Sequence, residues 1–472
     1  MSISRRGFVG TMSGMAVGGS AMARALSAAP PDAAPALASR RMESRPRPSG
    51  SQLLWQRDEL AFFLHFGVNT FSDREWGDGK EDPKSFDPSA LDARQWARTA
   101  KAAGFKAMIL TAKHHDGFCL WPTKTTTHSV ASSPFRGGKG DVVREFVDAC
   151  EAEGLRAGLY LSPWDRSHPT YGDSPTYNDV YAAQLTELLT QYGPIHEVWF
   201  DGANGEGPNG KRQVYDWPRV WGLVRRLMPD AVVFSDAGPD VRWIGNEAGY
   251  AGATNWSFVR PDIVTAPGVS GDEVMRSLQH GDRDGTVWRP GETDVSIRPG
   301  WFYHPAEDAK VRIVENLVGL YFSSVGRNSK LLLNVPPTRE GLIHQTDAKN
   351  LAGMRAHLDR IFARDVTAGA DAKWRMLGTT AAVGEFALKE ASTVGVLDLR
   401  EDITQGQRVA RYFVEGFDGM GWRVLQHGTT IGYRRLGHIA PTRVTKLKVS
   451  IEDAVEMPLP ITLSAFAGID HD

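Results

Sequence analysis

From Leu60 onward the chain alternates short apolar runs with amphipathic stretches, and this alternation limits its fold more than any other feature. Repeated strand-helix units bury their strands in a parallel sheet covered by helices, so the pattern predicts an α/β fold. The runs that read as strands are Leu60 to Phe66, Ala107 to Ala112, Ala157 to Leu161, Glu197 to Phe200, Ala231 to Ser235 and Leu331 to Val335. Between them, Leu91 to Ala103, Asp141 to Glu153 and Asn178 to Tyr192 read as helices; in the last, Tyr181, Leu185, Leu188, Leu189 and Tyr192 recur at helical spacing. Polar residues gather just after the strands: His65, Lys113-His114-His115-Asp116, Asp165 and Asp201. Functional groups at the carboxyl ends of successive strands point to a (β/α) TIM-like barrel. A doubly wound sheet would be expected to carry a phosphate loop, and no Walker loop occurs.

A chain of 472 residues exceeds what one core normally organises. The barrel is expected over 49–366, ending with a helix from Thr346 to Arg364 and the small-residue linker Ala368-Gly369-Ala370. Beyond it the periodicity shortens to strands such as Arg408 to Val414, Gly421 to His427 and Thr445 to Ile451, which predicts a β-sandwich over 371–472. At the other end, Ser4-Arg5-Arg6-Gly7-Phe8-Val9 is a twin-arginine signature, followed by a weakly apolar stretch and a small-residue cleavage pattern at Ala23-Arg24-Ala25. Residues 1–30 read as a signal peptide, too short and too rich in Gly and Ser for a membrane span, and 31–48 as a flexible Pro/Ala leader. A periplasmic or secreted protein is expected.

Charge excludes some partners. With 54 Lys+Arg against 56 Asp+Glu there is no net field to attract nucleic acid or an anionic membrane, so a neutral partner is expected. Cys119 and Cys150 form no disulfide framework or metal knuckle and read as buried apolar residues. The 14 Trp are spread along the chain and offer rigid faces of the kind that sugar rings pack on.

The stretch Glu197-Val198-Trp199-Phe200-Asp201-Gly202 carries the chemistry. Residues two apart on a strand share a face, so Trp199 and Asp201 set an aromatic platform beside an acid where a barrel strand opens into its mouth. An Asp capping the next turn is the plainer alternative. His114 and His115 are adjacent, and adjacent side chains on a strand diverge, whereas barrel metal sites favour histidines two apart; no metal or other cofactor is expected.

At His65-Phe66-Gly67, Glu75-Trp76, Lys113-His114-His115-Asp116-Gly117-Phe118, Tyr160-Leu161-Ser162-Pro163-Trp164, Trp199-Phe200-Asp201-Gly202 and Leu333-Asn334-Val335-Pro336-Pro337, the sequence resembles the α-L-fucosidases of glycoside hydrolase family 29. The resemblance covers most of Leu53 to Thr338 and implies a barrel followed by a β-sandwich, acting on a fucosylated oligosaccharide or glycoconjugate. It implies that Asp201 is the nucleophile of a retaining reaction, that His65, His114 and His115 hydrogen-bond fucose hydroxyls, and that Glu75 and Trp76 sit on a loop closing over the sugar. Tyr160 and Trp199 are expected to line the floor, and Arg242 and Trp301 are further candidates for the lining. Arg242-Trp243-Ile244-Gly245-Asn246-Glu247 looks like the branch acting on α-1,3/1,4-linked fucose, in which Glu247 matches the acid/base. Because the family does not keep its acid/base at one position, Glu292 is a rival. α-1,2 or broad linkage preference, a metal-dependent barrel hydrolase and a non-catalytic sugar-binding protein are the alternatives.

Overall fold

The computed structural model describes residues 45–468. The expected signal peptide and residues 31–44 of the leader lie outside the described residues. The end of the leader is docked rather than loose: Arg45 donates to the Arg283 carbonyl and lies 5.6 Å from the Phe258 ring centroid, and Arg47 donates to Gln405 Oε1 at 3.1 Å.

Eight parallel strands close into a barrel. Its members are β1 (Leu60–Leu64), β2 (Ala107–Lys113), β3 (Arg156–Leu161), β4 (Glu197–Trp199), β5 (Val232–Ser235), β6 (Val241–Trp243), β9 (Gly291–Ser296) and β10 (Ser329–Asn334). Between β6 and β9 the chain forms a two-stranded ribbon, β7 (Phe258–Val259) with β8 (Val287–Trp288). The barrel closes where β1 pairs with both neighbours, Leu60 opposite Leu331 and Ala61 opposite Ala107.

The connecting helices begin where the sequence supplies an acceptor. Asp92, Asp141 and Asp216 each accept a hydrogen bond from the backbone N–H three residues on, starting helices at Ala93–Ala102, Val142–Glu153 and Trp217–Leu227. The second of these stops at Gly154, whose φ of 71° is left-handed and so suits glycine. Helix Ser174–Gln191 turns Tyr177, Tyr181, Leu185 and Leu188 onto the barrel. Among the described residues no helix is long and apolar enough to cross a membrane.

Inside the barrel, alternate residues stack in layers. Phe63, Ile109, Tyr160, Trp199, Phe234 and Leu332 make a buried apolar cluster, with the Trp199 and Phe234 rings stacked at 4.0 Å. The layer below is polar. Glu197 Oε2 accepts from Trp55 Nε1 at 3.0 Å and from Lys330 Nζ at 3.1 Å, while Glu292 Oε1 accepts from Trp199 Nε1 at 2.9 Å. Beneath that layer a hollow of about 1380 Å³ opens at the amino-terminal rim, beside Trp55, Arg156 and Lys330.

The last barrel helix, Gln345–Ile361, hands over to an antiparallel sheet of β11 (Asp371–Met376), β12 (Ala382–Arg400), β13 (Val409–Phe417), β14 (Trp422–Gly428), β15 (Arg435–Ala454) and β16 (Thr462–Phe466). All six strands belong to one hydrogen-bonded sheet, ordered β11-β12-β15-β13-β14 with β16 on β12, which folds over itself to make the expected sandwich. β12 and β15 are 19 and 20 residues long, and register shifts at Ala387/Ser392 and Val394/Val396 let them serve both halves. One core holds Leu397 and Leu463 from one half with Leu447 and Val449 from the other. The linker already belongs to this unit, since Ala370 packs against its core, and so does Val366 before it, whose N–H donates to the Ala465 carbonyl.

Candidate active site

Seven expected site residues converge on one cleft at the carboxyl-terminal rim: His65, Trp76, His114, His115, Asp201, Glu247 and Trp301, with Ala203. The cleft is small and narrow, walled by the Trp76 and Trp301 indoles and the three imidazoles. Apart from Trp76, which comes from the loop beyond the short helix after β1, each lining residue follows a barrel strand by a few positions, so the rigid sheet sets its place.

Asp201 is 3 % exposed. Its Oδ1 accepts from Ala203 N–H at 2.8 Å and its Oδ2 from the Tyr160 hydroxyl at 3.0 Å. The capping reading of this residue therefore holds alongside its place in the cleft: one oxygen fixes the turn after β4, and a phenol donor steadies the other. Glu247 reaches the same cleft from the loop after β6 and is partly exposed, as a group that meets solvent must be.

The histidines are fixed from behind. The Asn334 amide donates from Nδ2 to Ser296 Oγ and to the Trp301 carbonyl, so its Oδ1 is the acceptor for His65 Nδ1 at 2.8 Å. His65 thus carries its hydrogen on Nδ1 and presents Nε2 as an acceptor. Likewise the Ser162 hydroxyl donates to the Trp164 carbonyl and accepts from His115 Nδ1 at 2.7 Å. The His114 and His115 rings lie 4.1 Å apart, because the strand ends at Lys113 and releases the alternation that would have separated them. No group of three or more His, Cys, Asp or Glu side chains arranged to hold a metal ion occurs among the described residues.

Four expected site residues sit elsewhere. Tyr160 and Trp199 are fully buried one layer beneath the cleft: Tyr160 stacks under His114 at 5.8 Å and against Trp199 at 5.2 Å, so they support the floor without forming it. The Glu75 carboxylate, expected on a loop closing over the sugar, accepts from the backbone N–H groups of Trp301 and Phe302, at 2.8 and 3.1 Å, and from His304 Nε2 at 2.7 Å. Arg242 also turns away, because on β6 its neighbour Trp243 faces inward. Its guanidinium bonds the Leu278 and Arg289 carbonyls and Asn255 Oδ1 outside the barrel.

The rival acid, Glu292, is 0 % exposed and absent from the cleft lining. Burial first, and then the neighbouring Glu197, push its carboxyl well above the ordinary range. Behind the histidine pair, Asp116 Oδ1 accepts from Phe118 N–H and Oδ2 from Asn69 Nδ2; burial lifts its pKa to about 7 despite these bonds.

A second cleft of about 1450 Å³ adjoins the first and shares Trp76 and Ala203 with it. Trp164, Arg166, Glu206, Arg212, Asp236 and Trp243 line it. Asp236 was missed in the sequence, although it ends β5 as Asp201 ends β4. The same signal marks it, since Phe234 stands two residues before Asp236 as Trp199 stands before Asp201.

Residues 63–361 match the family described as alpha-L-fucosidase. The chain is 44 % identical over 423 residues to alpha-L-fucosidase 1 of Arabidopsis thaliana, covering 83 % of this chain and 81 % of that one. Among solved structures it is similar to a glycoside hydrolase 29 family member from a rumen bacterium, at 39 % identity and a TM-score of 0.84, covering 91 % of this chain and 78 % of that one. It is also similar to a Ruminococcus gnavus family 29 fucosidase in complex with fucose, at 30 % identity and a TM-score of 0.82, covering 90 % and 95 % of the two chains.

Proposed function

The chain belongs to the α-L-fucosidase family, glycoside hydrolase family 29, and on that premise we propose that it releases terminal α-1,3/1,4-linked L-fucose from branched oligosaccharides with retention of configuration. It is a glycoside hydrolase acting on fucosylated substrates. The observation that carries the mechanistic reading is the meeting of two carboxyl groups, Asp201 and Glu247, in one cleft walled by two indoles and three imidazoles.

Asp201 attacks the anomeric carbon as Glu247 gives its proton to the glycosidic oxygen; the C–O bond breaks and the acceptor sugar leaves with that proton. Glu247, now a carboxylate, takes a proton from water, the oxygen of which attacks the same carbon and frees Asp201. His65, His114 and His115 orient the fucose hydroxyls, and Trp76 and Trp301 pack on its apolar faces. The adjoining cleft supports the linkage reading, since it has room for the acceptor sugars of a branched glycan. The twin-arginine signature at Ser4 to Val9 supports export to the periplasm or beyond.

Mass mapping after a mechanism-based fucosyl inhibitor is expected to find the label on Asp201. Asp201→Asn is expected to lose turnover by roughly three orders of magnitude or more with its melting temperature kept. A label elsewhere, or near-normal turnover in that variant, overturns the mechanism. Product analysis on Lewis-type, H-type and aryl fucosides tests the linkage, and preference for the H-type substrate overturns it.

A further inference from the structure

The two indole walls of the cleft come from different loops, Trp76 from the segment after β1 and Trp301 from the segment after β9. His304 stands where those loops meet. Its Nε2 bonds Glu75 Oε1 at 2.7 Å and its Nδ1 bonds Asp73 Oδ1 at 2.9 Å, so one ring ties two carboxylates of the first loop to the second. Glu75, held this way, takes the backbone N–H groups of Trp301 and Phe302. The fit requires a glycine: a Cβ on Gly300 would lie 2.5 Å from Glu75 Oε1 and 2.9 Å from the His304 ring.

We infer that His304 is a positioning residue for the sugar cleft, a cationic latch that holds the Trp76 loop against the Trp301 loop through Glu75 and Asp73. It touches neither the substrate nor the reacting atoms. The inference rests on the fucosidase reading of the cleft, and the latch supplies the pre-organisation that such a cleft needs to grip one sugar.

The charges around the ring favour its protonated form. Asp73, Glu75 and Glu307 face it, and Arg339 stands 3.6 Å from Asp73 on its far side. The bond to Glu75 is the largest influence, and the pKa rises to about 9. A histidine pKa raised on folding contributes stability that is complete below its unfolded value and is lost as pH climbs through its folded value. The latch therefore holds at neutral pH and opens above about pH 9.

Steady-state kinetics of the full chain on an aryl fucoside between neutral pH and pH ~10 test this. In the native protein KM is expected to rise on the alkaline side while kcat is nearly level. His304→Gln is expected to raise KM roughly five- to tenfold at neutral pH, keep kcat within about twofold, and abolish the alkaline rise. Unchanged KM overturns the latch, as does a raised KM that keeps the alkaline rise, since a merely structural histidine would leave the pH profile alone. Asp73→Asn retains the ring and removes one counter-charge, so its alkaline rise is expected at lower pH; an unmoved rise is also fatal. Absence of fucoside turnover in the native protein would instead overturn the functional reading.

Discussion

Two glutamates on neighbouring barrel strands or loops face opposite fates because of what surrounds them. Glu247 meets solvent in the cleft, whereas Glu292 is enclosed one layer down against Trp199 and Glu197. Glu247→Ala is therefore expected to slow oligosaccharide hydrolysis by roughly 10² to 10⁴-fold, to spare activated aryl fucosides more, and to regain part of its rate with azide. Glu292→Gln keeps a neutral amide of the same shape that still accepts from the Trp199 indole, so turnover within a few-fold of native is expected. Azide rescue of the Glu292 variant, and none of Glu247→Ala, would exchange their roles. At this scale the placement of His65, His114, His115 and Asp201 in the cleft was legible because each follows an apolar run, yet Asp236 follows one too and was missed. Glu75, Tyr160 and Trp199 were misplaced because spacing reveals which face a side chain shares, while depth along the barrel axis depends on neighbours from other strands.

The elements that hold the second cleft depend on one buried pair. Lys113, the last residue of β2, donates to Asp165 Oδ2 at 3.1 Å, to the Tyr177 hydroxyl and to Gln184 Oε1, joining β2, the turn after β3 and helix Ser174–Gln191. Burial opposes the Asp165 charge, yet Lys113 and two backbone N–H groups hold its pKa below the ordinary value, so this stabilisation is present at neutral pH and lost as pH falls into the acid range. Lys113→Met is expected to cost about 3 to 5 kcal/mol at neutral pH, with the deficit shrinking on acidification as the stranded carboxyl takes a proton. Urea melts at several pH values check it; a deficit that does not vary with pH would count against it. Six barrel strands were legible as apolar runs, but β6 and β9 were not. Val241-Arg242-Trp243 is short, and Gly291 to Ser296 points Glu292 and Asp294 into the barrel, where indole N–H groups of Trp199 and Trp243 make acids acceptable. β12 escaped for a related reason: its polar middle, Lys389-Glu390-Ala391-Ser392, interrupts the alternation where the strand bends.

At the scale of the molecule, barrel and sheet are locked by Arg434. Its guanidinium pairs with Glu59 at 2.9 Å and Asp398 at 2.8 Å and reaches the Tyr321 hydroxyl, while only 6 % of the residue is exposed. Arg434→Met is expected to destabilise by about 1 to 3 kcal/mol, because it leaves buried Asp398 and half-buried Glu59 with only the more exposed Arg400 as a cationic partner. Calorimetry is expected to show the sheet melting ahead of the barrel in that variant, and an unchanged single transition would refute the lock. The barrel itself is stoppered. Tyr160, Trp199 and Phe234 close the cleft from below, and the hollow at the far rim lies beyond the polar layer. A chamber closed from below exchanges its contents at the rim, so on the mechanism proposed above the departing acceptor must clear that threshold before water can follow it in. Any other alcohol queueing there competes for the same esterified sugar, so a crowded doorway turns cleavage into exchange.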